Sequence, residues 1–284
     1  MKKILVQIKK EACDEQITLA ASIGKTLKAD VNYLYLHDRD FDSKPDMVAA
    51  LAVAGPQPVM DASVVTDRRV EEELLVKQLQ EKVSRIINPS GKHGRLIVSH
   101  ESPRDAFMHH GLYHDLLIVD KDLKTTDVIG LIYDGVSDVA AHCHRPVFAL
   151  PKHAKPNIAS GDVLIVWNSD PETASAIGHA LPLLQLAHNV TLLFLHDGKQ
   201  SDKTETDLQM EAISYLKSYD INAQALHCPE DADANEAFLS RVLDGQFDYV
   251  VAAAYGHSKL RELFSGNIVR EVLRRTQVPV FLAT

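Results

Sequence analysis

Gly256 and Gly266 bracket the run Gly-His-Ser-Lys-Leu-Arg-Glu-Leu-Phe-Ser-Gly-Asn, residues 256 to 267. Glycines lack a Cβ, so backbone amides around them can close on an anion. After Gly266 and Asn267 come Ile268, Val269, Val272 and Leu273 at helical spacing. The loop would therefore end at a helix N-terminus, whose unpaired amides and dipole favour a phosphate, and Lys259 or Arg261 would add positive charge. That chemistry is anion binding rather than bond breaking. The same glycines also suit a plain tight connection from a strand to a helix. The chain has no G-x-x-x-x-G-K-[ST] loop and no G-x-G-x-x-G, so neither a P-loop NTPase nor a dinucleotide fingerprint is present.

Other reactive types are scattered. Ser258 directly follows His257, but adjacency in sequence does not make a nucleophile and base pair, and there is no G-x-S-x-G elbow. His109, His110 and His114 would set two imidazoles one helical turn apart, and His142-Cys143-His144 precedes an apolar run. Neither set has a carboxylate or thiolate at a familiar ligand spacing, so they read as surface histidines and no metal site is assigned. Cys13 near a helix start and Cys228 after a strand are the other two thiols, and both read as inert. His37 and His196 end matching segments and would face a ligand crevice.

The elements that must position these residues come in two copies. Lys3 to Asp38 aligns without gaps on Asp162 to Asp197 at an offset of 159, and both copies end Leu-His-Asp. Asp115 to Val119 matches Asp248 to Ala252 at an offset of 133, as does Pro146-Val147-Phe148 with Pro279-Val280-Phe281. The first copy therefore holds 26 more residues than the second, mainly between Asp38 and Arg69, where Gly55 to Pro58 marks a loop.

Each copy opens with a near-continuous apolar run, Ile4 to Ile8 or Val163 to Trp167, as in a strand buried on both faces of a parallel sheet. A helix follows. In the second copy Ser169 or Asp170 caps, Pro171 suits the first helical position, and Ala174, Ile177, Leu181 and Leu184 recur at helical spacing, with Pro182 expected to kink it. Ile17, Ala20, Ala21, Ile23 and Leu27 form the equivalent face, and a strand follows at Val31 to Leu36. Further elements are expected at Glu71 to Ile87 (helix), Arg95 to Ser99 (strand), Pro103 to His110 (helix), Leu116 to Val119 and Val147 to Leu150 (strands). The second half repeats them with a helix near Leu208 to Ser218 and strands near Ala223 to His227, Tyr249 to Ala253 and Val280 to Ala283.

Alternating strands and helices predict an α/β fold, two tandem doubly wound parallel sheets of Rossmann-like type. The expected domains are 1–151 and 161–284, joined by the Pro, Lys and Gly-containing stretch Pro151 to Gly161. The chain's 284 residues suit two domains, and 45% hydrophobic with 24% charged residues is ordinary for a soluble globular protein. A net charge of −9 disfavours partners that are nucleic acid or anionic membrane. Three widely spaced cysteines imply no disulfide framework. No run approaches the roughly 18 apolar residues of a membrane helix. The opening apolar run is broken by Gln7 and too short for a signal peptide, so a cytoplasmic location is expected.

At the glycine loop the sequence resembles the universal stress protein family, whose nucleotide-binding members carry Gly, two residues, Gly, nine residues, Gly and then Ser or Thr. Gly256, nine residues and Gly266 keep that spacing. Trp167 to Leu184 (WNSDPETASAIGHALPLL) and His227 to Ala237 (HCPEDADANEA) also look like segments of bacterial tandem members. The resemblance implies two such domains packed as an internal pseudo-dimer through their last strands, Val147 to Leu150 against Val280 to Ala283, with further pairing into a homodimer left open. It implies ATP or AMP binding, with or without Mg²⁺, in a stress-response regulatory role with little or no catalysis, and a protein partner of unknown identity. The residues it assigns to the nucleotide are Trp167 and Asn168, Leu195 and His196, then Ala253, Gly256, His257, Arg261, Gly266, Asn267 and Ile268.

The departures matter. Ala253 stands for the first glycine, Asn267 for the hydroxyl residue, and Asn168 for an Asp that contacts the nucleoside in the family; Lys9 holds that place in the first half. The first-half loop, Asp120 to Asp134, puts Leu123 and Tyr133 where Gly256 and Gly266 stand, with Gly130 and Gly135 out of register, so that half reads as a degenerate copy. The same departures keep two other functions open: an interaction scaffold without nucleotide, and a small-molecule hydrolase or transferase using His196 or His257.

Overall fold

The structure is a computed structural model; it describes residues 1–10, 13–37, 62–87, 94–126, 132–167, 171–194, 203–227, 247–254 and 277–284, with 240, 242, 273 and 275. The first half runs β1 (Lys3–Ile8), α1 (Cys13–Leu27), β2 (Asp30–Leu36), α2 (Ala62–Ile87), β3 (Leu96–Ser99), α3 (Pro103–Gly111), β4 (Leu116–Asp120), β5 (Lys124–Thr126), β6 (Ile132–Asp134), α4 (Gly135–Cys143) and β7 (Val147–Leu150). The second runs β8 (Asp162–Trp167), α5 (Pro171–Leu184), β9 (Asn189–Phe194), α6 (Lys203–Lys217), β10 (Ala223–His227), β11 (Tyr249–Ala253) and β12 (Val280–Ala283).

One ten-stranded sheet unites them, in the order β10-β9-β8-β11-β12-β7-β4-β1-β2-β3. Read outward from its centre, each half has the same strand order. The registers repeat as well: Ile4 opposes Leu116 in the first half and Val163 opposes Tyr249 in the second. Neighbours within each half are parallel, whereas β7 and β12 pair antiparallel, with Phe148 opposite Phe281. The edge strands of the two halves thus complete each other's ladders at the point where each would otherwise be open.

The apolar runs form strands because both faces are covered. Ile4, Val6 and Ile8 point into one core with Ile17, Ala20 and Ile23 of α1 and Leu79 and Val83 of α2. Leu5 points into the other with Ala106 and Phe107 of α3 and Val136, Val139 and Ala140 of α4. In the second half, Ala176, Ile177, Ala180 and Leu183 of α5 and Leu216 of α6 cover the first face. Across the junction Phe148 meets Tyr249 edge-on at 5.7 Å and Phe281 at 6.3 Å between ring centroids, so the first core is continuous through both halves.

A repeated carboxylate ties each half's first strand to its fourth. Asp115 Oδ2 accepts from the amides of Lys2 and Lys3, and Asp248 accepts from those of Asn157 and Asp162. In this way the Asp opening each copy of the second repeated motif sets the start of β1 or β8. The stretch Pro151 to Gly161 is accordingly not a free tether, since Ile158 is buried in the first core.

Several elements differ from the sequence expectations. α2 starts at Ala62, ahead of Glu71. Residues 120 to 134, read as a loop, contain the antiparallel pair β5 and β6, and α4 then starts at Gly135. Gly135 donates to the Leu123 carbonyl at 2.9 Å, and a Cβ there would lie 2.7 Å from that oxygen. The out-of-register glycine is therefore the residue this tight approach requires.

Candidate functional site

In a doubly wound sheet the ligand crevice lies beyond the carboxyl ends of the strands where the order reverses. Here that falls between β1 and β4 in the first half and between β8 and β11 in the second, because β1 and β8 each pair with strands leading in opposite directions.

In the first half the crevice is crossed by an ion pair. Lys9 Nζ lies 3.0 Å from Asp120 Oδ2, with the lysine side chain 39% exposed and the aspartate 4%. Each partner is held at its root: the Lys9 amide donates to Gln16 Oε1 of α1 at 2.8 Å, and the Asp120 amide to the buried Gln7 Oε1 at 3.0 Å. Asp120 Oδ1 also accepts from the Asp122 amide at 2.7 Å, closing an Asx turn into β5. An ammonium and a buried carboxylate thus satisfy each other at the first switch point.

The repeat offsets put Asn168 and Ala253 at the positions of Lys9 and Asp120. An amide and a methyl cannot form that salt bridge. Of the sequence-assigned residues, Trp167 ends β8 and is buried, with its Nε1 lacking an acceptor among the described residues, and Ala253 ends β11. The register brings these two strand ends side by side, since Val250 pairs with Leu164 and Val251 with Ile165. Asn168, Leu195, His196, Gly256, His257, Arg261, Gly266, Asn267 and Ile268 lie outside the described residues, as does Ser258. His227 ends β10 and stacks on Phe194, ring centroids 5.3 Å apart.

The histidine sets find structural partners. His109 Nδ1 lies 2.9 Å from Glu101 Oε1 and His110 Nε2 3.7 Å from Glu101 Oε2, and the His109 bond holds the Glu101 carboxyl below its ordinary range. His114 is buried and bonds Asn32 Nδ2 at 2.9 Å. Asn32 Oδ1 accepts from the Arg95 amide, so Nδ2 is the donor and His114 Nε2 the acceptor. His142 Nδ1 bonds the Asp138 carbonyl at 2.8 Å, a helical i to i−4 contact, while Asp138 is clamped by Arg104 through two bonds of 2.8 and 2.6 Å. Burial, reinforced by the Asp138 charge, pushes the Cys143 thiol up to about 12. The Cys228 thiol and the Cys13 side chain lie outside the described residues.

One cluster has no signature in the sequence. His37, directly after β2, Glu72 on α2 and His100, directly after β3, bring their ligand atoms within 4.8 Å of one another. His37 was legible as a strand-end residue; Glu72 and His100 were not, because no spacing relates a helix residue to two strand ends that pair only in the folded sheet.

No protein-family model and no curated protein matches the chain. Among solved structures, a universal stress protein from Archaeoglobus fulgidus is similar over 99% of this chain and 98% of its own, with a TM-score of 0.64 at 12% identity. A structure bearing the name of a universal stress protein, from Pseudomonas aeruginosa UCBPP-PA14, is similar over 100% and 93%, with a TM-score of 0.58 at 14% identity. A functionally unknown protein from Pseudomonas aeruginosa PAO1 gives 100% and 92%, a TM-score of 0.54 and 14% identity. The likeness is one of fold: this chain has the α/β architecture of universal stress proteins across its full length.

Proposed function

We propose that this protein is a tandem universal stress protein with regulatory function, binding one adenine nucleotide, ATP or AMP, in its second half and carrying out little or no catalysis. The observation that carries the reading is the contrast between the two switch points. Lys9 and Asp120 fill the first with a salt bridge, whereas their counterparts Asn168 and Ala253 carry no charge to form one, in the half that has Gly256 and Gly266. Asn168 offers both a donor and an acceptor to a nucleoside, and its neighbour Trp167 has a buried indole N–H with no acceptor among the described residues. The loop glycines and the helix start that the spacing predicts after Asn267 would take the phosphates.

Nucleotide binding at residues 256 to 266 would change the surface offered to a protein partner. No helix among the described residues is long and apolar enough to cross a membrane. The test is native mass spectrometry of freshly purified protein followed by calorimetric titration with ATP, ADP and AMP. One nucleotide per chain is expected, lost in Gly266→Glu with an unchanged circular dichroism spectrum. No bound nucleotide and no heat up to millimolar ligand would overturn the assignment and leave an interaction scaffold as the reading.

A further inference from the structure

We propose that His37, Glu72 and His100 form a binding site for a divalent transition-metal ion of the zinc type, separate from the nucleotide crevice of the second half. Two imidazoles and one carboxylate suit zinc and its neighbours; calcium and magnesium prefer all-oxygen sets. His37 Nδ1 lies 2.5 Å and His100 Nδ1 4.0 Å from Glu72 Oε1. Donors around a tetrahedral zinc, with bonds of about 2.0 to 2.1 Å, stand about 3.3 Å apart. Those two separations bracket that value and all three donor atoms lie within 4.8 Å of one another, so side-chain shifts of about 1 to 1.5 Å would seat the ion. The two imidazole rings are already neighbours, their centroids 4.9 Å apart and their planes tilted 55° to each other.

The frame around the donors is ordered before any ion arrives. The His37 amide donates to the Ser99 carbonyl at 2.9 Å, which fixes the ends of β2 and β3 against each other. Buried Leu79 and Val83 seat α2, and so Glu72, on the same sheet face. His37 and Glu72 are about one-fifth exposed and His100 59%, which leaves an entry path and room for a water in the fourth position. No other group of three His, Cys, Asp or Glu residues meets the same donor-distance condition among the described residues. A bound ion would tie α2 to the carboxyl ends of β2 and β3.

The test is titration of the full chain with Zn²⁺ against a chromophoric chelator, with Co²⁺ as a spectroscopic probe of tetrahedral coordination. One tight site per chain is expected. His100→Ala, at an exposed position that leaves the core intact, and Glu72→Gln should each weaken it at least about tenfold, a loss that even an outer-sphere partner can cause. His109→Ala combined with His110→Ala removes the other surface pair near Glu101 and should leave binding unchanged. Binding that survives both His100→Ala and Glu72→Gln, that moves with the His109 and His110 variant instead, or that is absent from the wild-type chain would overturn the site. A visible Co²⁺ band lost in His100→Ala would confirm that the imidazole is a ligand.

Discussion

Lys9 Nζ and Asp120 Oδ2 meet at 3.0 Å across the first switch point, at positions where the second half carries Asn168 and Ala253. Lys9→Asn alone would leave a nearly buried carboxylate without its cation. Solvent reaches the lysine, so the expected loss is modest, about 1 kcal/mol. Combining it with Asp120→Ala, which installs the second half's pair, should cost less than the two single changes added together, because the uncompensated charge goes too. Urea denaturation of the four proteins in the cycle measures this, and strict additivity would show that the two side chains do not interact.

Two glycines are held by close backbone approach and a third is not. A Cβ on Gly161 would lie 2.2 Å from the Asn157 carbonyl oxygen, and one on Gly135 2.7 Å from that of Leu123. Alanine at either site should destabilise by about 1 to 3 kcal/mol, because backbone must shift to make room. At Gly178, in α5, nothing lies within 4 Å of such a Cβ, and alanine there should stabilise by about 0.5 to 1 kcal/mol. The midpoints of urea unfolding should therefore move in opposite directions.

Burial pushes the His114 imidazole below its ordinary 6.5, against the opposing pull of the His110 carbonyl. The unfolded chain then binds the proton more readily than the folded one, so stability is complete above pH 6.5 and is lost as pH falls through the folded value. His114→Gln, which can keep an acceptor toward Asn32, should flatten that part of the stability profile.

Asp115 acts in the same direction in a more acid window. Burial raises its carboxyl, but the Lys2 and Lys3 amides outweigh this and hold it below its ordinary 3.8. Its contribution is therefore intact above that pH and disappears as pH falls further. The difference between wild type and Asp115→Asn, followed by thermal unfolding, should shrink below about pH 4.

Cys143, pushed up to about 12, should resist alkylation in the folded protein at pH 8. Peptide mapping after a timed iodoacetamide pulse should find it modified only once denaturant is present. Rapid labelling of the native chain would show that its surroundings are more open than this packing allows.

Most strands were legible because a two-sided burial leaves an unmistakable mark: Val147 to Leu150, Tyr249 to Ala253 and Val280 to Ala283 occupy the spans read from their apolar runs. β5, β6 and α4 were not, because an alignment to the second half treated 120 to 134 as a counterpart loop. Leu123 and Gly135 in fact build a separate local structure there. The early part of α2 was missed because its sequence from Ala62 lacks a marked polar and apolar alternation, and a helix can extend beyond its packed stripe.

The repeat, the doubly wound class and the spacing of Gly256 and Gly266 are determined by the sequence alone, since periodicity, offset and residue type are local properties of the chain. The tertiary structure decided the pairings between distant residues. It put Lys9 on Asp120, 111 positions away, gathered His37, Glu72 and His100 from three elements, and set Asp115 and Asp248 on the amides of their halves' first strands. A side chain's partner depends on which strands become neighbours, and that order is fixed only when both cores close on the sheet.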